Sequence, residues 1–364
     1  EREEKEVHKY MSRTDIKSMS EEELKELLLS MGEKSFRAAQ IFSWIHEKKA
    51  ETFDDMTNLS RALREKLKEE CELIRLNAVE IQKSRLDGTR KYAFALPDGN
   101  IIESVWMEYK HGNSVCISSQ VGCRMGCRFC ASTLDGLERN LRPSEMLEQI
   151  YEMERDTGQR VSNIVVMGTG EPLDNLPNLL RFLELITSEK GSNISQRNIT
   201  VSTCGLVPKI RELAAKKLQI TLAISLHAPN DELRRTMMPI AKSYSIHEIM
   251  DACDEYFAVT GRRISFEYSL VRGVNDGEAE ARQLIALLKG RNCHVNLIPV
   301  NPIKERDYKE TLGQQVEKFQ KQLEKNGINA TIRRRLGTDI DSACGQLRRR
   351  VRQEEDRKEA ESNG

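Results

Sequence analysis

Three cysteines stand close together at residues 123–130, where the chain runs Cys-Arg-Met-Gly-Cys-Arg-Phe-Cys, a C-x3-C-x2-C spacing. Three thiolates in one tight loop can hold three corners of a [4Fe–4S] cubane and leave the fourth iron open. S-adenosylmethionine (SAM) can chelate that iron through its amino and carboxylate groups. The alternative is a zinc site, which needs a fourth ligand such as Cys116 or a histidine, and no ligand pair with zinc-like spacing follows. The spacing therefore predicts iron–sulfur chemistry on Cys123, Cys127 and Cys130.

Composition limits the class of protein. The chain has 57 basic and 57 acidic residues, which excludes a uniformly basic nucleic-acid binder but allows a local basic patch. The other six of its nine cysteines are scattered, so they do not indicate a disulfide framework. No apolar run approaches the roughly 20 residues that span a membrane. Residues 1–9 are charged and lack an apolar signal-peptide core. We expect a cytoplasmic protein without a membrane partner.

The order of predicted elements defines a fold class. After residue 112, buried strands alternate with amphipathic helices, which requires a parallel sheet with the helices outside. About six such units predict an α/β fold, a partial TIM-like (β/α)6 barrel. Before it, helical apolar spacing and a Pro97-Asp98-Gly99-Asn100 turn between strands 91–96 and 101–109 predict two smaller units. The predicted divisions are a helical accessory domain (1–75), a β-hairpin extension (76–111), the barrel (112–347) and a charged, disordered tail (348–364).

Small or polar residues follow four of the predicted strands, at the end of a barrel where catalytic groups lie. A glycine-rich loop or a single histidine is weak evidence alone, but four such ends in phase with the cysteine loop predict a SAM pocket. Gly170 would permit close approach of the backbone, and Glu171 would accept a hydrogen bond from the SAM amino group. Ser202, Ser225, His227 and Asn301 would bind its ribose, adenine or carboxylate. The four strand ends are Gly168-Thr-Gly-Glu-Pro172, Ser202-Thr-Cys-Gly205, Ser225-Leu226-His227 and Asn301-Pro302.

The cysteine spacing closely resembles that of the radical SAM superfamily. Together with Cys116-Ile-Ser-Ser-Gln-Val-Gly-Cys123 and Asp339-Ile-Asp-Ser-Ala-Cys-Gly-Gln346, the strand ends resemble a narrower group. That group is the RlmN family of dual-specificity adenine C2-methyltransferases of large-subunit ribosomal RNA and transfer RNA, and the resemblance runs from about residue 20 to 347. The related Cfr family methylates carbon 8 of the same adenosine and typically has Gly-Glu-Ala after its second strand. Pro172 and the helical N-terminus favour the C2 enzyme, with the C8 enzyme as the alternative.

The resemblance implies a mechanism that consumes two SAM molecules per turnover. One SAM methylates Cys344, and a second yields the 5′-deoxyadenosyl radical that removes hydrogen from this methyl group. The carbon then adds to adenine, Glu103 accepts a proton, and Cys116 releases the protein–RNA thioether in a transient disulfide with Cys344. Leu226 joins the predicted SAM-binding residues through the same resemblance. The implied partners are large-subunit rRNA, tRNA and a low-potential flavodoxin- or ferredoxin-like electron donor.

The residues themselves support part of this mechanism. Cys344 lies in the segment Thr331–Arg352, which holds seven arginines against two aspartates, and nearby positive charge favours a thiolate. The segment is either a solvated tail or a contact for RNA phosphates, in which case Arg333–Arg335 and Arg348–Arg350 lie near the backbone of the RNA. Nothing in the sequence alone selects Glu103. A radical SAM enzyme acting on another substrate and a zinc-stapled RNA-binding module remain open as alternatives.

Overall fold

Three short helices form the N-terminal part of the computed structural model, which describes residues 13–301, 307–340 and 347–352. The first helix begins with a capping box, because the Ser20 Oγ accepts from the Glu23 amide at 3.2 Å and the Glu23 carboxylate accepts from the Ser20 amide at 2.7 Å. The predicted helices are present here, within about two residues at each end. The elements are β1 (Thr14–Asp15), α1 (Glu21–Ser30), α2 (Arg37–His46), α3 (Arg61–Glu70) and β2 (Cys71–Glu72).

An antiparallel extension follows the helices. The predicted hairpin is present, and its turn is closed by a 2.7 Å hydrogen bond from the Leu96 amide to the Asn100 carbonyl. A further strand pairs with its outer edge and was not predicted, because its side chains are mostly exposed or half-exposed and carry no apolar alternation. The strands are β3 (Asn77–Lys83), β4 (Arg90–Ala95), β5 (Ile101–Tyr109) and β6 (Gly112–Cys116).

The alternating strands and helices after residue 112 form the parallel part of the same sheet, as predicted. Sequence analysis missed a two-stranded hairpin, β7 and β8, and the seven-residue helix α7, which are too short to show a period. The remaining elements are β7 (Gln120–Gly122), β8 (Leu137–Asn140), α4 (Pro143–Thr157), β9 (Val161–Val166), α5 (Leu176–Ile186), β10 (Ile199–Thr203), α6 (Val207–Ala215), β11 (Thr221–Ser225), α7 (Asp231–Met237), α8 (Ile246–Thr260), β12 (Ile264–Leu270), α9 (Glu278–Leu288), β13 (Cys293–Pro299), α10 (Gly313–Lys325) and β14 (Ala330–Ile332).

The strand order explains why this sheet is a partial barrel. From β6 the order is β9, β10, β11, β12, β13 and β14, so each new parallel strand adds to the same edge. Crossover connections between parallel strands are right-handed, so adding every strand in one direction puts all the connecting helices on one face. The other face becomes the inside of the barrel, with the C-terminal ends of all parallel strands at one rim. Between residues 13 and 340, no described pairing joins β14 back to β3.

The last described residues differ from the prediction. Residues 347–352 are helical, whereas the sequence predicted a disordered tail from residue 348. The helix is stabilised by apolar burial, since Leu347 and Val351 are one helical turn apart and both pack against Ala93 and Ile101 of the extension. This contact involves residues about 250 positions apart in sequence, which local composition does not reveal.

The N-terminal helices and the barrel share one continuous apolar core. Polar groups cross this junction as well. The buried Lys17 ammonium bonds to the Glu148 carboxylate of α4, and His46 Nδ1 lies 3.0 Å from the Tyr151 hydroxyl. Burial lowers the pKa of His46 to about 3, so the ring is neutral. None of the described helices is long and apolar enough to cross a membrane.

Candidate active site

The three clustered cysteines lie on the loop that joins β7 to β8. The Cys123 amide donates to the Gly136 carbonyl at 2.7 Å, and the Arg128 amide donates to the Met237 carbonyl at 2.9 Å. The first bond closes the loop on itself, and the second ties it to the end of α7. Cys123 and Cys127 are buried and Cys130 is half-buried. The loop therefore holds all three thiols in a fixed, largely shielded position.

Gly122 makes this loop closure possible. Its φ is +75°, and a Cβ at this position would lie 2.0 Å from the Gly136 carbonyl oxygen. No side chain fits at that distance, so the residue before the first cysteine has to be glycine. The sequence placed this glycine in the Cys116–Cys123 motif, but only the pairing of β7 with β8 gives the reason for it.

The thiols fit an iron–sulfur cluster. Burial, with Cys130 and Glu171 nearby, raises the pKa of Cys123 to about 12, and burial raises the pKa of Cys127 well above its ordinary value. Ligation to metal stabilises thiolates that would otherwise be protonated here. Within residues 13–301, 307–340 and 347–352, no three His, Cys, Asp or Glu side chains converge as ligands of one ion do. A cubane instead takes each thiolate at a separate corner, so this donor set suits a [4Fe–4S] cluster.

Gly170 and Glu171 follow β9 and pack against the segment that leads into the cysteine loop. Gly170 has a φ of +113°, and a Cβ there would lie 2.7 Å from the Gln120 Cβ. Gly170 therefore permits close approach between two segments of this chain. The buried Glu171 carboxylate accepts from the Leu173 amide at 3.1 Å and from the Cys204 amide at 2.7 Å. Burial raises the pKa of Glu171, and these amides oppose the shift. Glu171 therefore connects the ends of β9 and β10.

The ends of β10 and β11 bring the two predicted serines together. The Ser202 and Ser225 hydroxyls are 3.2 Å apart, and both side chains are half-buried. The Leu226 side chain is fully buried in the core, and its amide donates to the Glu267 carbonyl at 3.1 Å. Whatever Leu226 contributes to a ligand must come from its backbone, since its side chain packs elsewhere.

His227 has an unusual backbone conformation. Its φ is +58°, which β-carbon sterics disfavour, and its ring packs edge-on against Phe129 of the cysteine loop at 4.6 Å. The Ser269 amide donates to His227 Nδ1 at 2.9 Å, so a neutral ring carries its proton on Nε2. Burial and then the charge of Arg234 lower the pKa of His227 to about 3, which keeps the ring neutral. The ring can donate from Nε2.

Two predicted residues lie at or beyond the edge of the described chain. Asn301 is exposed and follows β13. Cys344, the predicted methyl carrier, lies outside the described residues, as does Pro302.

Cys116 and Glu103 lie on the inner face of neighbouring strands. Cys116 stands opposite Val105, and Glu103 is two residues from Val105 on the same face of β5. Both side chains are buried. The Glu103 carboxylate accepts from the Lys91 ammonium at 3.2 Å and from the Arg348 amide at 2.6 Å. Glu103 thereby anchors the start of helix 347–352, which begins three residues after Cys344 in the sequence.

The inside of the barrel holds a cavity of mixed polarity. A closed barrel is normally filled by branched apolar side chains, whereas here a cavity of about 610 Å³ lies among Met107, Val165 and Met167 as well as hydroxyl, amide and charged groups. Burial raises the pKa of Glu267 in this cavity, and Asn296 donates to its carboxylate at 2.7 Å. None of the strand-end residues predicted to bind SAM lines this cavity. The cavity-lining polar residues include Ser114, Thr200, Thr221, Ser265, Glu267, His294, Asn296 and Arg333.

Sequence reasoning missed three residues that hold these strand ends. Gln120 accepts from the Glu171 amide at 2.8 Å, and the Asn275 amide donates to the His227 carbonyl at 2.7 Å. Arg234 is fully buried behind the same strand ends. Gln120 lies within the recognised Cys116–Cys123 motif, but nothing in the local sequence marks Asn275 or Arg234.

Some arginines of the segment Thr331–Arg352 have contacts within the protein. Arg348 is buried, Arg335 pairs with Glu310, and Arg350 pairs with Glu80. Arg333, Arg334 and Arg335 are exposed, and Arg350 is half-buried. The contact of this segment with RNA phosphates stays a prediction.

Comparison with known proteins identifies the superfamily. Residues 117–285 match the radical SAM superfamily, and residues 14–73 match a family described as the ribosomal RNA large subunit methyltransferase N-terminal domain. A crystal structure of a radical SAM methyltransferase from Sphaerobacter thermophilus superimposes with a TM-score of 0.88 at 42% identity, covering 92% of this chain and 98% of that one. The fold and its cysteine loop are those of a radical SAM enzyme.

Two curated relatives show to which family of radical SAM enzymes the chain belongs. A probable dual-specificity RNA methyltransferase RlmN from Lachnospira eligens is 66% identical over 343 residues, covering 94% of this chain and 98% of the relative. A protein of the same name from Clostridium novyi is 54% identical over 335 residues, covering 92% of this chain and 98% of that relative. The chain belongs to the RlmN family of radical SAM RNA methyltransferases. Membership implies a [4Fe–4S] cluster, SAM and an RNA substrate, and the Cfr-type alternative is not favoured.

Proposed function

We propose that this enzyme methylates carbon 2 of an adenine in large-subunit rRNA, and of an adenine in tRNA. Carbon 2 of adenine is not nucleophilic, so direct methyl transfer from SAM fails and radical chemistry is required. Cys123, Cys127 and Cys130 would hold the cluster, and the ends of β9, β10 and β11 would hold SAM. When bound, the cluster and SAM supply a 5′-deoxyadenosyl radical, with the electron drawn from a low-potential flavodoxin- or ferredoxin-like donor.

The protein's own residues do the rest of the proposed reaction. Cys344 receives a methyl group from a first SAM and, after hydrogen is removed from it, joins that carbon to the base. Glu103 accepts the proton lost from carbon 2. The Cys116 thiol then attacks the Cys344 sulfur and breaks its bond to that carbon. The thiol proton passes to the carbon, which leaves with the base as a methyl group, the unpaired electron would return to the oxidised cluster, and a Cys116–Cys344 disulfide remains. Two SAM molecules are consumed per methyl group added.

One observation carries this proposal beyond family membership. Cys116 and Glu103 share the inner face of adjacent strands, and Glu103 anchors the helix that begins shortly after Cys344. The proposed proton acceptor and the Cys116 thiol therefore share one face of the sheet, and helix 347–352 is anchored to it.

The position of the methyl group is the direct test. Anaerobic incubation of the reconstituted enzyme with SAM, a reductant and unmodified rRNA or tRNA should yield 2-methyladenosine on nucleoside mass spectrometry. Two SAM molecules should be consumed per methylated base, one as S-adenosylhomocysteine and one as 5′-deoxyadenosine. A product that is only 8-methyladenosine would instead assign the Cfr-type reaction.

A further inference from the structure

Arg234 of α7 cross-links the strand ends behind the candidate SAM pocket. Its side chain is 0% exposed. The Nε donates to the Leu226 carbonyl at 3.1 Å, and Nη2 donates to the carbonyls of Cys204 at 2.6 Å and Ser225 at 3.3 Å. These three acceptors belong to the ends of β10 and β11. All of them are neutral, so they orient the guanidinium without balancing its charge.

The charge of Arg234 has little compensation in the described part of the chain. There, Nη1 is buried without a hydrogen-bond partner and no carboxylate forms an ion pair with the guanidinium. Burial lowers the pKa of Arg234, and the nearby Cys204, Cys127 and Asp231 only partly oppose that shift. Burying a cation without a counter-charge is strongly unfavourable. A buried arginine without a counter-charge is therefore expected beside a group that is negatively charged in the working enzyme.

The cysteine loop is the place where such a group would lie. Met237, at the end of the same helix, accepts from the Arg128 amide of the loop. Met237, Cys127 and Cys204 belong to one apolar cluster. The Arg234 guanidinium thus lies in the apolar wall that also holds a proposed cluster ligand. In such surroundings water screens charge poorly, so electrostatic effects are large.

We propose that Arg234 is a positioning residue whose fixed positive charge compensates the cluster thiolates and raises the cluster's reduction potential. Each thiolate ligand carries a negative charge, and reduction of the cluster adds another. A nearby cation stabilises the reduced form more than the oxidised form, which makes reduction easier. The proposal rests on Cys123, Cys127 and Cys130 being the ligands.

Two substitutions separate the charge of Arg234 from its hydrogen bonds. Arg234→Gln keeps an amide donor and removes the charge, whereas Arg234→Lys keeps the charge with a smaller donor set. Arg235→Gln is the matched control, because Arg235 is exposed on the same short helix.

Each protein is reconstituted anaerobically, its iron content is measured, and the midpoint potential of the cluster is determined by a redox titration followed by electron paramagnetic resonance. We expect Arg234→Gln to make reduction about tenfold less favourable, a shift of about 59 mV to lower potential. Arg234→Lys and Arg235→Gln should keep the wild-type midpoint.

The outcomes decide the proposal. An Arg234→Gln protein with full iron and the wild-type midpoint would show that the residue only cross-links β10 and β11, which overturns it. If the Arg234→Gln protein takes up no iron, the Arg234→Lys variant decides. Normal iron content and a wild-type midpoint potential in Arg234→Lys would support the role of the charge, whereas an equal loss of iron would overturn the proposal. A Cys127→Ala protein that keeps its full iron content would refute the proposed ligands themselves, so the two failures are distinguishable.

Discussion

Cys116 lies on the inner face of β6, opposite Val105, where a thiol can face the interior of the barrel. Its proposed task comes last, when it attacks the sulfur of Cys344. The two cysteines should therefore fail in different ways when each is replaced.

Removal of Cys344 should block the reaction before RNA is attached, and removal of Cys116 should block it afterwards. We expect Cys344→Ala to give neither methylated adenine nor a protein–RNA adduct, while SAM cleavage persists. Cys116→Ala should stall with RNA tethered to Cys344, visible as a nuclease-sensitive shift on a denaturing gel. The double variant should behave like Cys344→Ala. Full turnover by Cys116→Ala, or an adduct without Cys344, would falsify these roles and leave the radical SAM assignment intact.

Glu103 has a structural contact besides its proposed role as proton acceptor, because its carboxylate accepts a hydrogen bond from the Arg348 amide. Glu103→Gln keeps an acceptor for that amide but cannot take up a proton. We expect its single-turnover methylation rate to fall at least about a hundredfold, together with a lower melting temperature because the buried ion pair with Lys91 is broken. Glu103→Ala should lose the anchor as well and melt earlier. If Glu103→Gln methylates at the wild-type rate, the carboxylate serves only to hold helix 347–352.

Among the elements, the ends of the parallel strands are fixed mainly by contacts between loops. Glu171 links the β9 end to the β10 end, Arg234 links the β10 end to the β11 end, and Asn275 holds the loop after β11. Polar strand ends in this fold thus stabilise one another through direct hydrogen bonds. Some residues that sequence analysis assigned to SAM therefore also hold the strand ends together.

Gly170 offers a test of this packing. Gly170→Ala would place a methyl group 2.7 Å from the Gln120 Cβ in a backbone with a φ of +113°. We expect it to lower the free energy of unfolding by about 2 kcal/mol or more, and to weaken SAM binding in calorimetry because the loop must move. Gly158→Ala is the control, since Gly158 has a φ of +67° with no atom within 4 Å of the added carbon. It should cost about 1 kcal/mol from backbone strain alone and leave SAM binding unchanged.

At the scale of the whole molecule, the N-terminal helices are joined to the barrel through α4. The buried Lys17 ammonium forms an ion pair with Glu148, whose carboxylate also forms an ion pair with the Arg155 guanidinium. Burial lowers the pKa of Lys17, and the Glu148 charge opposes that shift. The junction therefore contains a buried ion pair inside an otherwise apolar core.

Removing one partner of that pair should loosen the junction. We expect Lys17→Met to lower the free energy of unfolding by about 3 kcal/mol in urea denaturation, because Glu148 would stay buried with only Arg155 to balance it. Lys25→Met, at an exposed pair with Glu22, should change it by less than about 1 kcal/mol. Equal stability of the two variants would mean that the apolar contacts alone hold the helices on the barrel.

Local sequence patterns were enough to predict the kind of chemistry and the order of the main helices and strands. The Cys123–Cys130 spacing, the alternation of strands with helices and the polar strand ends are all local patterns, and each follows from periodicity or from ligand chemistry over a few residues. The family resemblance added Glu103, Cys116 and Cys344. These patterns sufficed to predict the barrel and its helical N-terminal domain.

The way in which groups far apart in sequence come together depends on the folded structure. The need for glycine at position 122 depends on β7 pairing with β8, and the helix after residue 347 depends on burial against Ala93 and Ile101. Arg234 resembles any helical arginine in sequence, yet in the fold it is fully buried beside Cys127 and Cys204. Burial and charge compensation depend on what surrounds a residue in space, and those neighbours come from segments far apart in the chain.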